Sequence, residues 1–215
     1  MEVDLRTVKT IYMNPNHNAK YQYRKNYMDS FLKELGFQHV EHFQSGTDRY
    51  PQCLCDATVQ ILQKNMDDTP FLLLEDDIDL MPGSSFQITI PKTTDAVYFG
   101  LSRSAGHPTE NRHEGNTVLE AGPDGLVRVL NMLSGHAILY CSQRYKKAVY
   151  DSLSSKKEKN TYNDVQMSRL QKDYFVYAPF TPLFYQSTKM NDGRPNEEWA
   201  TKITVFGCPP RLPTA

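Results

Sequence analysis

The sequence predicts an α/β fold with a mixed, mainly parallel central sheet flanked by helices, and three observations carry that prediction. Strand-like and helix-like patterns alternate through the first half of the chain, the mark of parallel strands joined by crossover helices. The run Phe71-Leu72-Leu73-Leu74 is wholly apolar and bounded by turn residues, as expected of a strand buried on both faces. Residues 117–121 and 126–130 flank Gly122-Pro123-Asp124-Gly125, a hairpin signal that adds antiparallel strands in the middle.

The elements follow in order. Residues 7–13 read as a strand that ends in Asn14-Pro15-Asn16-His17-Asn18, which is loop chemistry. A helix over 19–35 places Tyr27, Met28, Phe31, Leu32 and Leu35 on one face, and Gly36 stands where a helix C-cap belongs. Residues 38–43 form a second strand. Pro51 opens a helix with Ala57, Ile61 and Leu62 inward, and the apolar strand follows. Strands are expected at 95–101, 136–140 and 174–177, and helices from Ser142 to about Leu153 and over 162–172. Residues 102–116 read as a polar loop and 202–206 as one more strand. The organisation is one domain over 1–208 and a Pro-rich tail at 209–215 that resembles a linker.

Composition excludes several classes. Lys and Arg number 24 against 25 Asp and Glu, so the basic excess usual for a phosphate-gripping nucleic-acid binder is missing. No apolar run nears the ~20 residues that span a bilayer. The acidic, polar start Met1-Glu2-Val3-Asp4-Leu5-Arg6 does not read as a secretory signal, so the expected location is cytoplasmic. Cys53 and Cys55 are too close for the usual zinc spacing and Cys141 and Cys208 stand alone, so all four read as reduced thiols.

The most informative stretch is Glu75-Asp76-Asp77-Ile78-Asp79, directly after the apolar strand. Four carboxylates this close repel one another and are costly beside a buried strand unless a cation or hydrogen bonds offset them. Ligands of open α/β sheets bind at the carboxyl ends of strands. Carboxylate oxygens suit Mg2+ or Mn2+, which can bridge to a diphosphate and neutralise a departing phosphate. Side-chain alternation pairs Asp77 with Asp79 if the strand continues, or Glu75 with Asp77, so Asp77 is the firmest ligand and Asp79 and Glu75 are its alternatives. The plain alternative is an acidic surface turn. An EF-hand starting at Asp77 fails, because Pro82 and Ile88 occupy its glycine and glutamate positions. A haloacid dehalogenase-type phosphatase motif fails at Met81.

On these residues the chain resembles GT-A glycosyltransferases, and most of all the lipopolysaccharide-type transferases whose strand ends in L-E-D-D, matched here by Leu74-Glu75-Asp76-Asp77. Looser matches are the Gly-led strand Gly135-His136-Ala137-Ile138-Leu139-Tyr140, the pair Asn163-Asp164, then Val176-Tyr177-Ala178-Pro179 and Gln186. The chain is also similar to the capsid-glycosylating transferases of chlorella viruses, which implies an enzyme of the host cytoplasm acting on a viral glycan. The resemblance implies a UDP-sugar donor held by Tyr12, Met13 and Asn14, with Asp56 as a further uracil or ribose contact and Asp76 and Asp77 at the diphosphate. It implies a glycan or glycoprotein acceptor and, through Asp164, a general base, for which Asp79 competes. Many members supply a late His as third metal ligand, but no His follows His136 here, and His136 on its apolar strand reads as core. Arg103 and His107, and then Lys189, Asp192 and Arg194, are loop residues that could touch acceptor or phosphate. Two other readings share the acidic cluster or dispense with it: a metal-dependent nucleotidyl- or phosphotransferase, and a non-catalytic carbohydrate-binding module.

Overall fold

The computed structural model of the protein describes residues 1–47, 50–101, 117–155, 162–187 and 190. The expected loop cations Arg103, His107, Lys189 and Arg194, with Asp192, Cys208, the strand at 202–206 and the tail, lie outside the described residues.

Twelve strands and four α-helices are described. They are β1 (Glu2–Asp4), β2 (Lys9–Asn14), α1 (Ala19–Glu34), β3 (Val40–Gln44), α2 (Gln52–Lys64), β4 (Phe71–Glu75), β5 (Ile78–Leu80), β6 (Gln87–Thr89), β7 (Ala96–Tyr98), β8 (Val118–Ala121), β9 (Leu126–Asn131), β10 (Ala137–Tyr140), α3 (Gln143–Ser154), α4 (Asn163–Ser168), β11 (Val176–Pro179) and β12 (Phe184–Gln186). The central sheet has eight strands in the order β3-β2-β4-β10-β7-β11-β9-β8. Following the parallel and antiparallel pairings along it, six strands point one way and β10 and β9 run against them. The fold is thus the mixed, mainly parallel α/β class expected.

Alternation along each strand divides the core in two. Ile11, Met13, Phe71, Leu73, Ile138 and Tyr140 face the layer of α2, α3 and α4. Tyr12, Leu72, Leu74, Ala137 and Leu139 face the layer that holds Met28 and Leu32 of α1. Because β4 presents four buried residues to both layers at once, its sequence is apolar without alternation. Asn18 caps α1 by accepting from the Tyr21 N–H at 3.1 Å. Gly36 ends the helix region at φ +82, a conformation glycine adopts without a Cβ penalty. Ser142 caps α3 as expected.

Several expectations need correction. The helix expected over 162–172 is a six-residue α4 followed by a 3-10 turn over Gln171–Asp173. The buried Gln171 side chain accepts from the Met132 N–H at 2.7 Å and donates to the Met132 carbonyl at 3.0 Å, which ties that turn to the end of β9. The short strands β1, β5, β6 and β12 were not expected; they pair as two separate two-stranded sheets, β1 with β6 and β5 with β12. No helix among the described residues is long and apolar enough to cross a membrane.

The connection from β2 through α1 reaches β3 on one side, and the next, through α2, reaches β4 on the other. The two helices cover opposite faces, so the carboxyl ends of β2 and β4 flank a topological switch point, where open α/β sheets bind ligands. The register there sets Met13 opposite Glu75.

Candidate active site

A cleft of about 430 Å³ opens at that switch point. Met13 comes from β2, Glu75-Asp76-Asp77 from the end of β4, and Arg24 from α1. The loop Ser45-Gly46-Thr47, Tyr50, Cys53 and Gln186 complete much of its wall. Of the four acids in the cluster, three line the cleft.

Their environments differ. Asp76 is only 6% exposed, and both of its oxygens are engaged: Arg24 donates to Oδ1 at 2.8 Å and the Asn14 amide to Oδ2 at 2.6 Å. Arg24, itself 8% exposed, also donates from Nε to the Met190 carbonyl at 2.9 Å and lies 3.6 Å from Asp77 Oδ2. Asp77 Oδ1 is buried with no hydrogen-bond partner among the described residues. Burial, chiefly, raises the Asp77 carboxyl to about 6, with Arg24 opposing and Asp76 adding to the rise. Glu75 is pushed well above the usual carboxylate range by burial and then by Asp77, Asp164 and Asp76. Gln186 donates to Glu75 Oε2 at 3.3 Å.

Glu75 and Asp77 therefore face the cleft together, but Asp79 does not join them. The strand does not continue through the cluster: β4 ends at Glu75, a turn takes Asp76 and Asp77, and β5 restarts in another sheet. Asp79 Oδ1 accepts from the Leu80 N–H at 2.9 Å, and Oδ2 lies 3.5 Å from the Ser187 hydroxyl. Tyr12 is likewise outside the cleft. Alternation turns it to the α1 face, where its hydroxyl donates to Asp29 at 2.5 Å and its ring stacks on His42 at 5.0 Å. Met13 lines the cleft, and Asn14 supports it from behind through Asp76 and the Tyr21 carbonyl. Asp56 lines a smaller adjoining cavity with Ser45, Gly46 and Cys53, and accepts from Gln52 at 3.0 Å. Asp164 sits in the first turn of α4, where the helix dipole favours an acid, and its charge reaches Glu75 and Tyr50.

Gly135 explains how Glu75 and α4 come so near: a Cβ there would stand 3.1 Å from Glu75 Oε1 and 3.8 Å from the Asn163 amide. Arg24, Tyr50 and the Ser45 loop were not read as site residues. For Arg24 a signal existed, since it stands four residues before Met28 and eight before Leu32, a cation at the head of a buried stripe.

The donor set fits a divalent cation in part. A buried carboxylate oxygen without a partner among the described residues, beside other acids, is what a hard cation would satisfy. Asp77 offers that oxygen and Glu75 stands beside it, whereas each Asp76 oxygen already accepts a hydrogen bond. Among the described residues no three His, Cys, Asp or Glu groups converge to enclose an ion, so phosphate and water would supply the other ligands. The three described cysteines are buried and form no disulfide among the described residues.

The raised Asp77 carboxyl has a stability consequence. Relative to its ordinary value of 3.8, the folded protein holds this proton up to about 6. The stabilising contribution is complete below the ordinary value and lost as pH rises through the folded one. The difference between 3.8 and about 6 is worth about 3 kcal/mol, so in metal-free buffer Asp77→Asn should leave the Tm unchanged near pH 3–4 and raise it by about 6–12 °C above pH 7, as read by circular dichroism.

His136 is core, as read. It is 6% exposed, and burial pushes it down to about 4. Its ring fills the space of a side chain at Gly100, where a Cβ would fall 1.7 Å from Nε2. Gly100→Ala should cost about 2–3 kcal/mol, lowering Tm by about 4–12 °C. Adding His136→Ala should recover part of that loss, a check on the clash as the cause.

No protein-family model matches the chain, and no curated protein matches it. Among solved structures it is similar to a glycosyltransferase involved in the glycosylation of the major capsid of PBCV-1, with 13% identity and a TM-score of 0.49, over 83% of this chain and 92% of that one. It is also similar to a Drosophila β1,4-galactosyltransferase 7 mutant in complex with manganese, UDP-Gal and xylobiose, with 14% identity and a TM-score of 0.42, over 91% of this chain and 80% of that one. At these identities the likeness gives no residue a role.

Proposed function

We propose that the cleft is the donor site of a metal-dependent GT-A-type glycosyltransferase, which moves a sugar from a UDP-sugar to a hydroxyl of a glycan or glycoprotein acceptor. The observation that supports it most is Asp77: a carboxylate at the carboxyl end of the switch-point strands, with one buried oxygen that has no hydrogen-bond partner among the described residues. The uridine, and a viral capsid glycan as one candidate acceptor in a host cytoplasm, rest on the sequence resemblance alone.

In this reading Asp77 and Glu75 hold Mn2+ or Mg2+, which when bound offsets charge on the leaving diphosphate. Asp76 does not touch the ion; it fixes Arg24, whose guanidinium meets both aspartates. Met13 and the Ser45-Gly46-Thr47 loop form the nucleoside wall, with Asp56 in the adjoining cavity. Asp164, in the first turn of α4 and near enough for its charge to act on Glu75, is the candidate base for the acceptor hydroxyl.

The test is a panel of UDP-sugars incubated with protein and Mn2+, reading nucleotide products. UDP release supports the transferase. Release of pyrophosphate or inorganic phosphate instead would point to a nucleotidyl- or phosphotransferase working through the same acids, and no turnover or UDP binding would sink the donor assignment.

A further inference from the structure

A second cavity, of about 330 Å³, lies at the far end of the small β5–β12 sheet. Its lining contrasts with the first. Pro82, Gly83, Ser84, Ser85, Gln87, Ile88, Phe99, Pro179, Thr181 and Leu183 include no ionisable side chain. Ser85 is spent on the backbone of Gln87. The side chains of Ser84, Gln87 and Thr181 have no hydrogen-bond partner among the described residues. Two hydroxyls and one amide thus stand beside the apolar surfaces of Phe99, Ile88 and Leu183. Such a lining can satisfy a ligand rich in hydroxyls and C–H faces, and it offers nothing to neutralise a charged one.

The position is equally specific. Gln186 lines the acidic cleft and Leu183 lines this cavity, three residues apart along one extended segment, about 10 Å. The partner strand repeats the link, from Asp77 to Pro82. Phe99 and Pro179 follow or end β7 and β11, strands that point the same way as β4, so both cavities open at the carboxyl edge of the sheet.

We infer that this cavity binds a neutral saccharide unit of the acceptor, away from the hydroxyl that reacts. The inference rests on the proposed transferase reading for its role, but the binding itself is independent of that reading.

The experiment is saturation-transfer NMR with maltose, cellobiose and N-acetyllactosamine as probes and glucuronic acid as a charged control. It uses wild-type protein, Thr181→Trp, which fills the cavity from an exposed position, and Gln87→Ala, which removes the free amide. A neutral disaccharide is expected to bind with a dissociation constant on the order of 1 mM. The signal should fall at least about tenfold in Thr181→Trp and several-fold in Gln87→Ala, with glucuronic acid silent. UDP titration in the presence of Mn2+ should be unchanged by Thr181→Trp. No signal from any neutral probe, or a signal that survives both variants, overturns the inference. Saccharide binding that meets these criteria while UDP fails to bind would keep the cavity and remove the transferase.

Discussion

Asp77→Ala is expected to abolish metal-dependent UDP binding, with a loss of at least about 100-fold. Calorimetric titration of UDP with and without Mn2+ reads it directly. Wild type should bind only with the metal, and the variant should not bind under either condition. The expectation follows from how the cluster divides its work. Asp76 already holds Arg24 and Asn14, one on each oxygen, and giving up either would leave a buried donor short of a partner. Glu75 is held toward its neutral form by burial and three acidic neighbours, which makes it a poor ligand on its own. Asp77 alone combines an oxygen with no hydrogen-bond partner among the described residues, a face on the cleft and a nearby cation, Arg24, that favours its ionised form against burial. The variant should stay folded, since it removes a carboxyl whose burial is unfavourable above pH 6. UDP binding that survives in Asp77→Ala would move the site elsewhere.

How much of this was readable differs by link. The backbone framework was legible because its causes are local: Ser142 as a cap, Gly36 at positive φ, and a β4 with no polar residue between Phe71 and Leu74. The acidic cluster was legible as a candidate site, since strong self-repulsion next to a buried strand demands compensation, and three of its acids line the cleft. Which acid does what was not legible. Alternation assigned Asp79 to the side of Asp77 on the assumption of a continuous strand, and the chain turns at Asp76–Asp77 instead. That turn depends on Ser187 donating its N–H to the Asp77 carbonyl and on β12 pairing with β5, contacts more than a hundred residues away in sequence. Tyr12 shows the same limit in reverse. Its type suits a base platform, but its parity in β2 sends it to the opposite face from Met13.

Arg24→Met is the other large expected effect, on the fold rather than on the chemistry. Arg24 and Asp76 are both under 10% exposed, and the guanidinium supplies two contacts that nothing else among the described residues replaces, to Asp76 Oδ1 and to the Met190 carbonyl. Removing one partner of a buried ion pair leaves the other charge in low dielectric, at about 3–5 kcal/mol. The Tm should fall by about 6–20 °C. Methionine keeps most of the stem's volume, so lost packing is a small part of the change. A second variant separates the charge from the cavity: Arg24→Met with Asp76→Asn removes the stranded carboxylate and keeps an acceptor for the Asn14 amide. If the ion pair is the cause, the double variant should recover at least half of the lost stability, whereas equal unfolding of single and double variants would place the cost in the Met190 contact. The double variant also asks whether UDP binding needs the Arg24 charge beside Asp77. Stability regained while metal-dependent UDP binding stays weak would assign Arg24 two separable tasks, holding α1 against the end of β4 and holding charge at the cleft.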